Sequence, residues 1–439
     1  MIPIRNQTCG DTYCLVWSEG RIHSARSERA KGSGERRGRS RAGPRQTIQA
    51  MDKCLRDSLT VSGIGEPLGL YLHVPFCKDR CQYCAFASTT ALSLVPLFLD
   101  RLLRDIAEWG QLLGCPPIDT LYLGGGTPSL LSKEQLTAIA SAIRSAFDAT
   151  GLLESTLEAN PGTIDPAWLE AVRREGWDRI SLGVQTLDDG LLNALGRVHD
   201  AKQGLESVKM CLNAGFERVS VDLLLGAPGQ CLSRVLDDAD RLIESGAEHL
   251  SVYMLDLDKP CRMKAQIEAG ALELPPDEYI ANAHQALHGH LSSNGFPQYE
   301  ISNFSRPGRH SMHNVRYWQR RPYLGLGPSA ASNIGYHRWT ECENIPDWIG
   351  GTGATDVQRL EPSEALAEVP LLGLRMSQGV DWPALRELAR AQGLHDLVEK
   401  WEKELAPLTG QDLLEWDSER LRLTQKGVLL GNHVFQVFV

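Results

Sequence analysis

The feature that most constrains the fold is a regular alternation of short apolar runs and longer amphipathic segments between residues 68 and 255. Such runs indicate buried strands, and the segments between them have helical spacing. Strands that alternate with helices pair in parallel, which predicts an α/β fold with its helices outside the sheet. The predicted strands are 68–74, 119–125, 154–159, 179–184, 218–226 and 249–255, and the predicted helices are 91–113, 132–148, 166–176, 187–195, 200–214 and 231–246. Six units are fewer than the eight of a closed barrel, so we expect an open, partial (β/α)6 barrel.

The regions that flank this pattern differ from it in composition. Residues 1–66 carry 12 basic and 7 acidic residues and a stretch rich in Arg, Gly and Ser, which predicts a disordered basic extension. The barrel core is expected over 67–360. Residues 361–439 are predicted to form a mainly helical, winged-helix-like domain, with helices near 364–376, 382–392 and 396–406, a hairpin over 412–424 and a final helix over 425–437.

The charge and the cysteine content limit the possible partners and the cellular compartment of the protein. Residues 67–439 carry 33 basic and 48 acidic residues, and this acidic body would repel a nucleic-acid backbone. The chain has no apolar run long enough to predict a transmembrane segment. Eleven cysteines, an odd number, favour a reducing compartment, and we expect the cytoplasm. The Arg- and Ser-rich start leaves an organelle as the alternative.

The unusual residues follow the predicted strands, where the loops of such folds build functional sites. CKDRCQYC (77–84) follows the first strand, and GGGTPS (124–129) follows the second. Glu158 ends the third strand, Gln185 follows the fourth and Asp222 lies in the fifth. These motifs are therefore expected to meet at one edge of the sheet.

The three cysteines of CKDRCQYC fit two kinds of metal site on spacing alone. A closed zinc site needs four ligands, and His73 could supply the fourth. A four-iron cluster held by three thiolates instead leaves one iron free to bind a substrate or cofactor.

The C-x-x-x-C-x-x-C spacing directly after the first strand resembles the radical S-adenosylmethionine (SAM) family. This resemblance implies a radical SAM barrel with a [4Fe–4S] cluster on Cys77, Cys81 and Cys84, whose open iron is chelated by the methionine part of SAM. It also implies SAM contacts from Tyr71, Tyr83, Gly125, Gly126, Thr127, Glu158, Gln185, Arg197 and Asp222.

The resemblance spans residues 68–335, and more loosely the rest, in segments such as LEANPGT, RISLGVQTLDDG, VDLLLGAPGQ and HNVRYW. It points to two related groups, the oxygen-independent coproporphyrinogen III dehydrogenases and the HemW-type haem chaperones. The dehydrogenases carry a fourth cysteine where this chain has Phe86. The HN-x-x-Y-W motif (His313, Asn314, Tyr317, Trp318) resembles one implicated in haem handling, with His313 as haem ligand and the aromatic side chains against the macrocycle.

The resemblance therefore implies a haem chaperone that carries a [4Fe–4S] cluster and SAM and passes haem to apo-haem proteins, among them membrane respiratory proteins. A coproporphyrinogen III dehydrogenase is the alternative, and a zinc-binding structural protein is a weaker one. On residues alone, a core or surface histidine is the favoured interpretation of His313, and the resemblance reverses that preference. The oligomeric state, including a homodimer, and the cleavage of SAM are left open. Ala331 stands where relatives usually have histidine, which could weaken a contact to haem or SAM.

Overall fold

The structure is a computed structural model that describes residues 15–18, 21–24, 65–355 and 357–439. Near the start of the chain, β1 (Leu15–Ser18) and β2 (Arg21–Ser24) pair as an antiparallel hairpin. The disorder expected for residues 1–66 falls mostly on residues outside the described part and stays a prediction.

A parallel sheet of six strands forms the centre of the fold, as the sequence pattern predicts. Its neighbouring strands pair in chain order, and each lies within one residue of its predicted ends. The strands are β3 (Leu68–Val74), β4 (Ile118–Gly125), β5 (Glu154–Ala159), β6 (Arg179–Gln185), β7 (Arg218–Leu225) and β8 (His249–Met254). The helices between them are Val95–Leu112, Lys133–Ala146, Pro166–Arg174, Asp189–Leu195, Ala201–Asn213 and Leu232–Glu244.

Side chains alternate along these strands between an apolar and a polar face. On β3, Leu70, Leu72 and Val74 are fully buried in one core with the surrounding helices. Parallel strands covered on both faces usually read as continuous apolar runs, so polar residues at every second position mark a face that lines a polar interior. We call this the polar inner face; it carries Tyr71, His73, Tyr122, Glu158, Arg179 and Asp222.

Short strands that the sequence analysis missed extend the sheet to twelve strands. β11 (Tyr323–Leu326) pairs in parallel with β3, and β12 (Ala331–Ile334), β13 (His337–Thr340) and β14 (Gln358–Arg359) continue antiparallel from it. At the other edge, β10 (Asn303–Ser305) and β9 (Gln298–Glu300) follow β8. Strands of two to four residues are too short to show a period. Further helices span Arg262–Glu268, Asp277–Ser293, Met312–Trp318 and Ile345–Ile349.

The C-terminal region has a hydrophobic core of its own, which includes Trp382, Trp401 and Leu421. Its helices are Pro362–Gly373, Trp382–Ala391 and His395–Gly410, and its small sheet contains β15 (Val380–Asp381), β16 (Leu414–Trp416) and β17 (Arg420–Leu423). The single final helix predicted over 425–437 is wrong, because the chain leaves helical geometry at Leu430, between Gln425–Leu429 and Gly431–Phe435. Among the described residues, no helix has the length and apolarity needed to cross a bilayer.

Candidate functional site

The cysteine loop begins where β3 ends and is fixed by backbone hydrogen bonds. The Cys77 N–H donates to the Thr89 carbonyl at 3.0 Å, and the Gln82 N–H donates to the Leu195 carbonyl at 3.0 Å. The Cys84 N–H donates to the Cys81 carbonyl at 3.3 Å. These bonds hold the three thiols in one loop over the carboxyl ends of the strands.

Two of the three thiols receive hydrogen bonds from other motifs. Thr127 Oγ1 lies 3.8 Å from Cys77 Sγ, and Arg197 Nη1 donates to Cys81 Sγ at 3.3 Å. Burial raises the pKa of Cys77, and it raises the pKa of Cys84 to about 11. Buried thiolates therefore need positive charge nearby, and the irons of a cluster supply it. The loop fits the cluster that the resemblance implies.

His73 is not positioned as the fourth ligand of a zinc site. Its Nε2 lies 2.9 Å from the Ala87 carbonyl oxygen, so Nε2 donates a proton. Its Nδ1 lies 2.9 Å from the Tyr71 hydroxyl, which donates to it when the ring is neutral. Both ring nitrogens of His73 are thus engaged. Among the described residues, no three His, Cys, Asp or Glu side chains form a ready metal-ion site.

The glycine loop after β4 packs directly beneath the cysteine loop. A Cβ added at Gly125, where φ is +112°, would lie 2.6 Å from the His73 ring. A Cβ at Gly126 would lie 2.7 Å from the Phe76 carbonyl oxygen and 3.0 Å from Cys77 Sγ. Only glycine allows this close approach. The Gly125 N–H donates to Glu158 Oε2 at 3.0 Å, which joins the loop to β5.

Two further predicted SAM contacts, Gln185 and Arg197, lie near the carboxyl ends of β5 and β6, beside the cysteine and glycine loops. Arg197 Nη2 donates to the Gly183 carbonyl and to Asn160 Oδ1. A Cβ at Gly183 would lie 3.2 Å from Gln185 Nε2, so the Gln185 amide lies beside them. Gln185 has φ of +73°, a conformation that non-glycine residues adopt rarely and that concentrates at functional sites. A small pocket that opens to solvent is lined by Cys81, Thr127, Asn160 and Arg197.

Three other residues that the resemblance implies as SAM contacts lie around the cysteine and glycine loops. Tyr71 lies lower on the polar inner face, with its ring centroid 6.1 Å from that of Tyr122. Tyr83 packs among apolar residues that include Leu195 and Leu224, and burial raises its pKa. Asp222 accepts a hydrogen bond from Ser181 Oγ at 3.4 Å inside the barrel. Their SAM contacts stay predictions.

His313 lies deeper, buried among polar side chains at the start of helix Met312–Trp318. Its exposed fraction is 1%, its Nδ1 lies 3.0 Å from Thr120 Oγ1, and its Nε2 lies 2.8 Å from the Tyr317 hydroxyl. Burial, with a smaller effect of Arg179, lowers its pKa to about 3. The ring is therefore neutral at physiological pH, which is the form that binds iron, but both nitrogens are engaged in this conformation.

The aromatic residues of the same motif face protein rather than an open surface. Trp318 is buried in a small cluster with Leu372 and Met376 of the C-terminal region, and the Arg375 guanidinium lies 5.4 Å from its ring. The Tyr317 ring contacts Tyr323 edge-on at 4.6 Å. A flat macrocycle therefore reaches these rings only if helix Met312–Trp318 separates from the residues packed against it. Ala331 lies buried in β12, and the effect expected of it stays a prediction.

Sequence reasoning missed Asn160, which touches both the glycine loop and Arg197. Asn160 Nδ2 donates to Thr127 Oγ1 at 2.8 Å. The signal was available, because Asn160 directly follows the third predicted strand, at the position where functional loops begin.

Asp222 gives the stability of the protein a pH dependence that can be measured. Burial raises the pKa of this carboxyl to about 6, against about 3.9 in an unfolded chain. The native state therefore binds the proton more tightly, and the free energy of unfolding falls as pH rises from about 4 to 6. Asp222→Asn removes this loss. From about pH 4 to pH 6, the free energy of unfolding of the variant relative to the parent protein should therefore rise by up to about 3 kcal/mol. Urea unfolding at a series of pH values measures the difference.

The control for this prediction is Asp148→Asn, at an exposed carboxylate whose pKa is lowered by the Thr150 hydroxyl. That substitution should give no relative gain as pH rises. Parallel pH profiles for Asp222→Asn and the parent protein would contradict the prediction.

Comparison with known proteins places these features in a family context. Residues 71–242 match the radical SAM superfamily, and residues 360–430 match the HemN C-terminal domain. The heme chaperone HemW of Lactococcus lactis is 32% identical over 85% of this chain and 98% of its own length, and that of Bacillus subtilis is 33% identical over 84% and 98%. The mitochondrial radical S-adenosyl methionine domain-containing protein 1 of Bos taurus is 35% identical over 83% of this chain and 82% of its own length.

Among solved structures, coproporphyrinogen III oxidase (HemN) from Escherichia coli superposes with a TM-score of 0.76. The match covers 88% of this chain and 93% of the other, at 22% identity. It confirms the predicted barrel fold and carries no further conclusion about activity.

Proposed function

Because this chain belongs to the HemW family of the radical SAM superfamily, we propose that it is a haem chaperone, which binds haem and passes it to apo-haem proteins. The observation that carries the proposal is the match to curated heme chaperones over 98% of their length. Phe86 supports it, because the related dehydrogenases carry a fourth cysteine at that position.

The family implies a [4Fe–4S] cluster and SAM, and Cys77, Cys81 and Cys84 would hold the cluster. When bound, it supplies an open iron that the methionine part of SAM can chelate, and it can transfer single electrons. Two residues of the chain would support the cluster at this position. Gly126 leaves room beside Cys77 Sγ, and Arg197 directs positive charge at Cys81 Sγ. We propose that cluster and SAM regulate haem handling rather than turn over.

We propose His313 as the haem ligand. Its imidazole is neutral, because burial lowers its pKa to about 3, and a neutral ring has a lone pair to offer iron. With the ring proton on Nδ1, where Thr120 Oγ1 lies 3.0 Å away, the Nε2 lone pair becomes free when the Tyr317 hydroxyl, now 2.8 Å away, moves aside. Haem loading thus requires an opening of helix Met312–Trp318 against its neighbours. Membrane respiratory proteins as acceptors, a homodimer and residence in the cytoplasm belong to the same proposal.

The test is a haem titration of the anaerobically reconstituted protein, followed by the Soret band. We expect saturable binding that His313→Ala weakens by about tenfold or more. His284→Ala is the matched control, because His284 is also buried, with a pKa lowered to about 4, on the separate helix Asp277–Ser293. That control should bind haem like the parent protein.

Three outcomes would count against the proposal. The absence of any saturable Soret change contradicts the chaperone function. Binding that His313→Ala leaves unchanged moves the ligand elsewhere in the chain. Formation of protoporphyrinogen from coproporphyrinogen III, in an anaerobic assay with reductant and SAM, would favour the dehydrogenase alternative.

A further inference from the structure

A chain of side-chain hydrogen bonds connects two of the cluster cysteines from behind. Thr127 Oγ1 lies 3.8 Å from Cys77 Sγ, and Asn160 Nδ2 donates to Thr127 Oγ1 at 2.8 Å. On the other side, Arg197 Nη2 donates to Asn160 Oδ1, and Arg197 Nη1 donates to Cys81 Sγ at 3.3 Å. We call these three residues the Thr127–Asn160–Arg197 bridge.

The chemistry of the three groups fixes the direction of every hydrogen bond in the bridge. A guanidinium can only donate, so the Asn160 oxygen must face Arg197. The Asn160 amide nitrogen then faces Thr127 and donates to its hydroxyl. Because that hydroxyl oxygen already accepts a hydrogen bond from Asn160, its own hydrogen is directed to Cys77 Sγ. Asparagine alone among short side chains offers a donor and an acceptor on one planar group in this way.

Two neighbouring hydroxyl groups hold the backbone of Asn160. Its N–H donates to Ser129 Oγ at 3.3 Å, and its carbonyl accepts from Thr163 Oγ1 at 2.7 Å. Gly183 leaves the space that the bridge needs, because a Cβ there would lie 2.9 Å from Asn160 Oδ1 and 3.2 Å from Arg197 Nη2. The amide is therefore positioned by the fold before any cofactor arrives.

We propose that Asn160 is a positioning residue that directs two hydrogen-bond donors at the cluster sulfurs and so raises the reduction potential of the cluster. Hydrogen bonds to cysteine sulfur are among the factors that set that potential. They stabilise the more negative, reduced cluster, and the donor on Arg197 is charged, which strengthens its bond. The inference rests on the cluster of the proposed function and is independent of haem.

The test is an anaerobic redox titration of the reconstituted protein, followed by the paramagnetic resonance signal of the reduced cluster. Asn160→Ala should lower the ratio of reduced to oxidised cluster at a fixed potential by about tenfold, which is about 59 mV for one electron. Thr127→Val removes the donor to Cys77 and should shift the ratio in the same direction. The double variant should shift it by less than the sum of the single shifts, because Asn160 acts partly through Thr127.

Two further variants separate a positioning role from general damage. Thr127→Ser keeps the hydroxyl and should retain the parent potential. Ser207→Ala removes another buried hydroxyl, one that donates to the Gln203 carbonyl far from the cluster, and should change nothing.

An unchanged potential in fully loaded Asn160→Ala would overturn the inference. If that variant takes up no cluster, Thr127→Val decides, and a parent-like potential there overturns it equally. A parent protein that takes up no cluster at all contradicts the cofactor premise and the inference together. A parent that holds the cluster but binds no haem contradicts only the proposed function.

Discussion

Replacing Cys77, Cys81 or Cys84 by alanine is expected to abolish cluster assembly. Each variant should contain almost no iron or sulfide after anaerobic reconstitution, against about four of each per chain in the parent, and its charge-transfer absorbance should disappear. The reason is that only three thiols stand in the loop, so that loss of one leaves two irons without a protein ligand. Iron and sulfide analysis with an absorption spectrum measures the effect directly.

The matched control for this prediction is Cys231→Ala. Cys231 is an exposed thiol next to Ser233, and its loss should leave the iron content unchanged. The fold of the cysteine variants should persist, because the loop is held by backbone hydrogen bonds such as that from Cys77 to Thr89. A Cys84→Ala protein with the iron content of the parent would contradict the prediction. Stoichiometric zinc without charge-transfer absorbance in the parent protein would instead support the alternative of a zinc-binding structural protein.

Local sequence was sufficient for the parts of the fold that repeat. The six central strands were found because short segments that contain apolar or β-branched residues alternate with longer helical segments. The cysteine and glycine loops were predicted to meet because parallel strands end at one edge, and the hydrogen bond from Thr127 to Cys77 shows that they do. In each case a local pattern combined with a general rule of sheet topology was enough.

The partners of individual side chains could not be predicted from the sequence. His73 looked like a spare zinc ligand, and only the fold shows that the Ala87 carbonyl and the Tyr71 hydroxyl engage both of its nitrogens. Trp318 looked available for a macrocycle, but Leu372 of a later helix covers it. An aromatic or imidazole side chain has the same one-letter code whether it is free or buried, and its partners decide which.

The second large effect is expected from Arg316→Met, which removes the anchor of the helix that carries His313. The Arg316 side chain is fully buried and forms an ion pair with Asp119. Its Nη1 also donates to the carbonyls of Pro67 at 2.9 Å and Pro322 at 3.0 Å. Burial lowers the pKa of Arg316 only to about 10, so it stays charged at neutral pH.

Loss of one partner of a buried ion pair costs about 3–5 kcal/mol, because the other charge is left without compensation. Arg321 also contacts Asp119, at 3.0 Å, so we expect the lower end, about 3 kcal/mol, as a shift of the urea midpoint at constant slope. Arg316→Lys should not restore the parent value, because an ammonium cannot reach the same acceptors in the planar fork of a guanidinium.

The control, Arg218→Met, removes a partly exposed contact with Asp178 at 3.5 Å and should cost less than about 1 kcal/mol. Equal losses in Arg316→Met and Arg218→Met would contradict the anchoring role. The comparison also bears on haem. If helix Met312–Trp318 must move before His313 can bind iron, then Arg316 holds that helix in its closed position. Arg316→Met should then release the His313 Nε2 more often, so haem binding that is faster than in the parent should accompany the loss of stability.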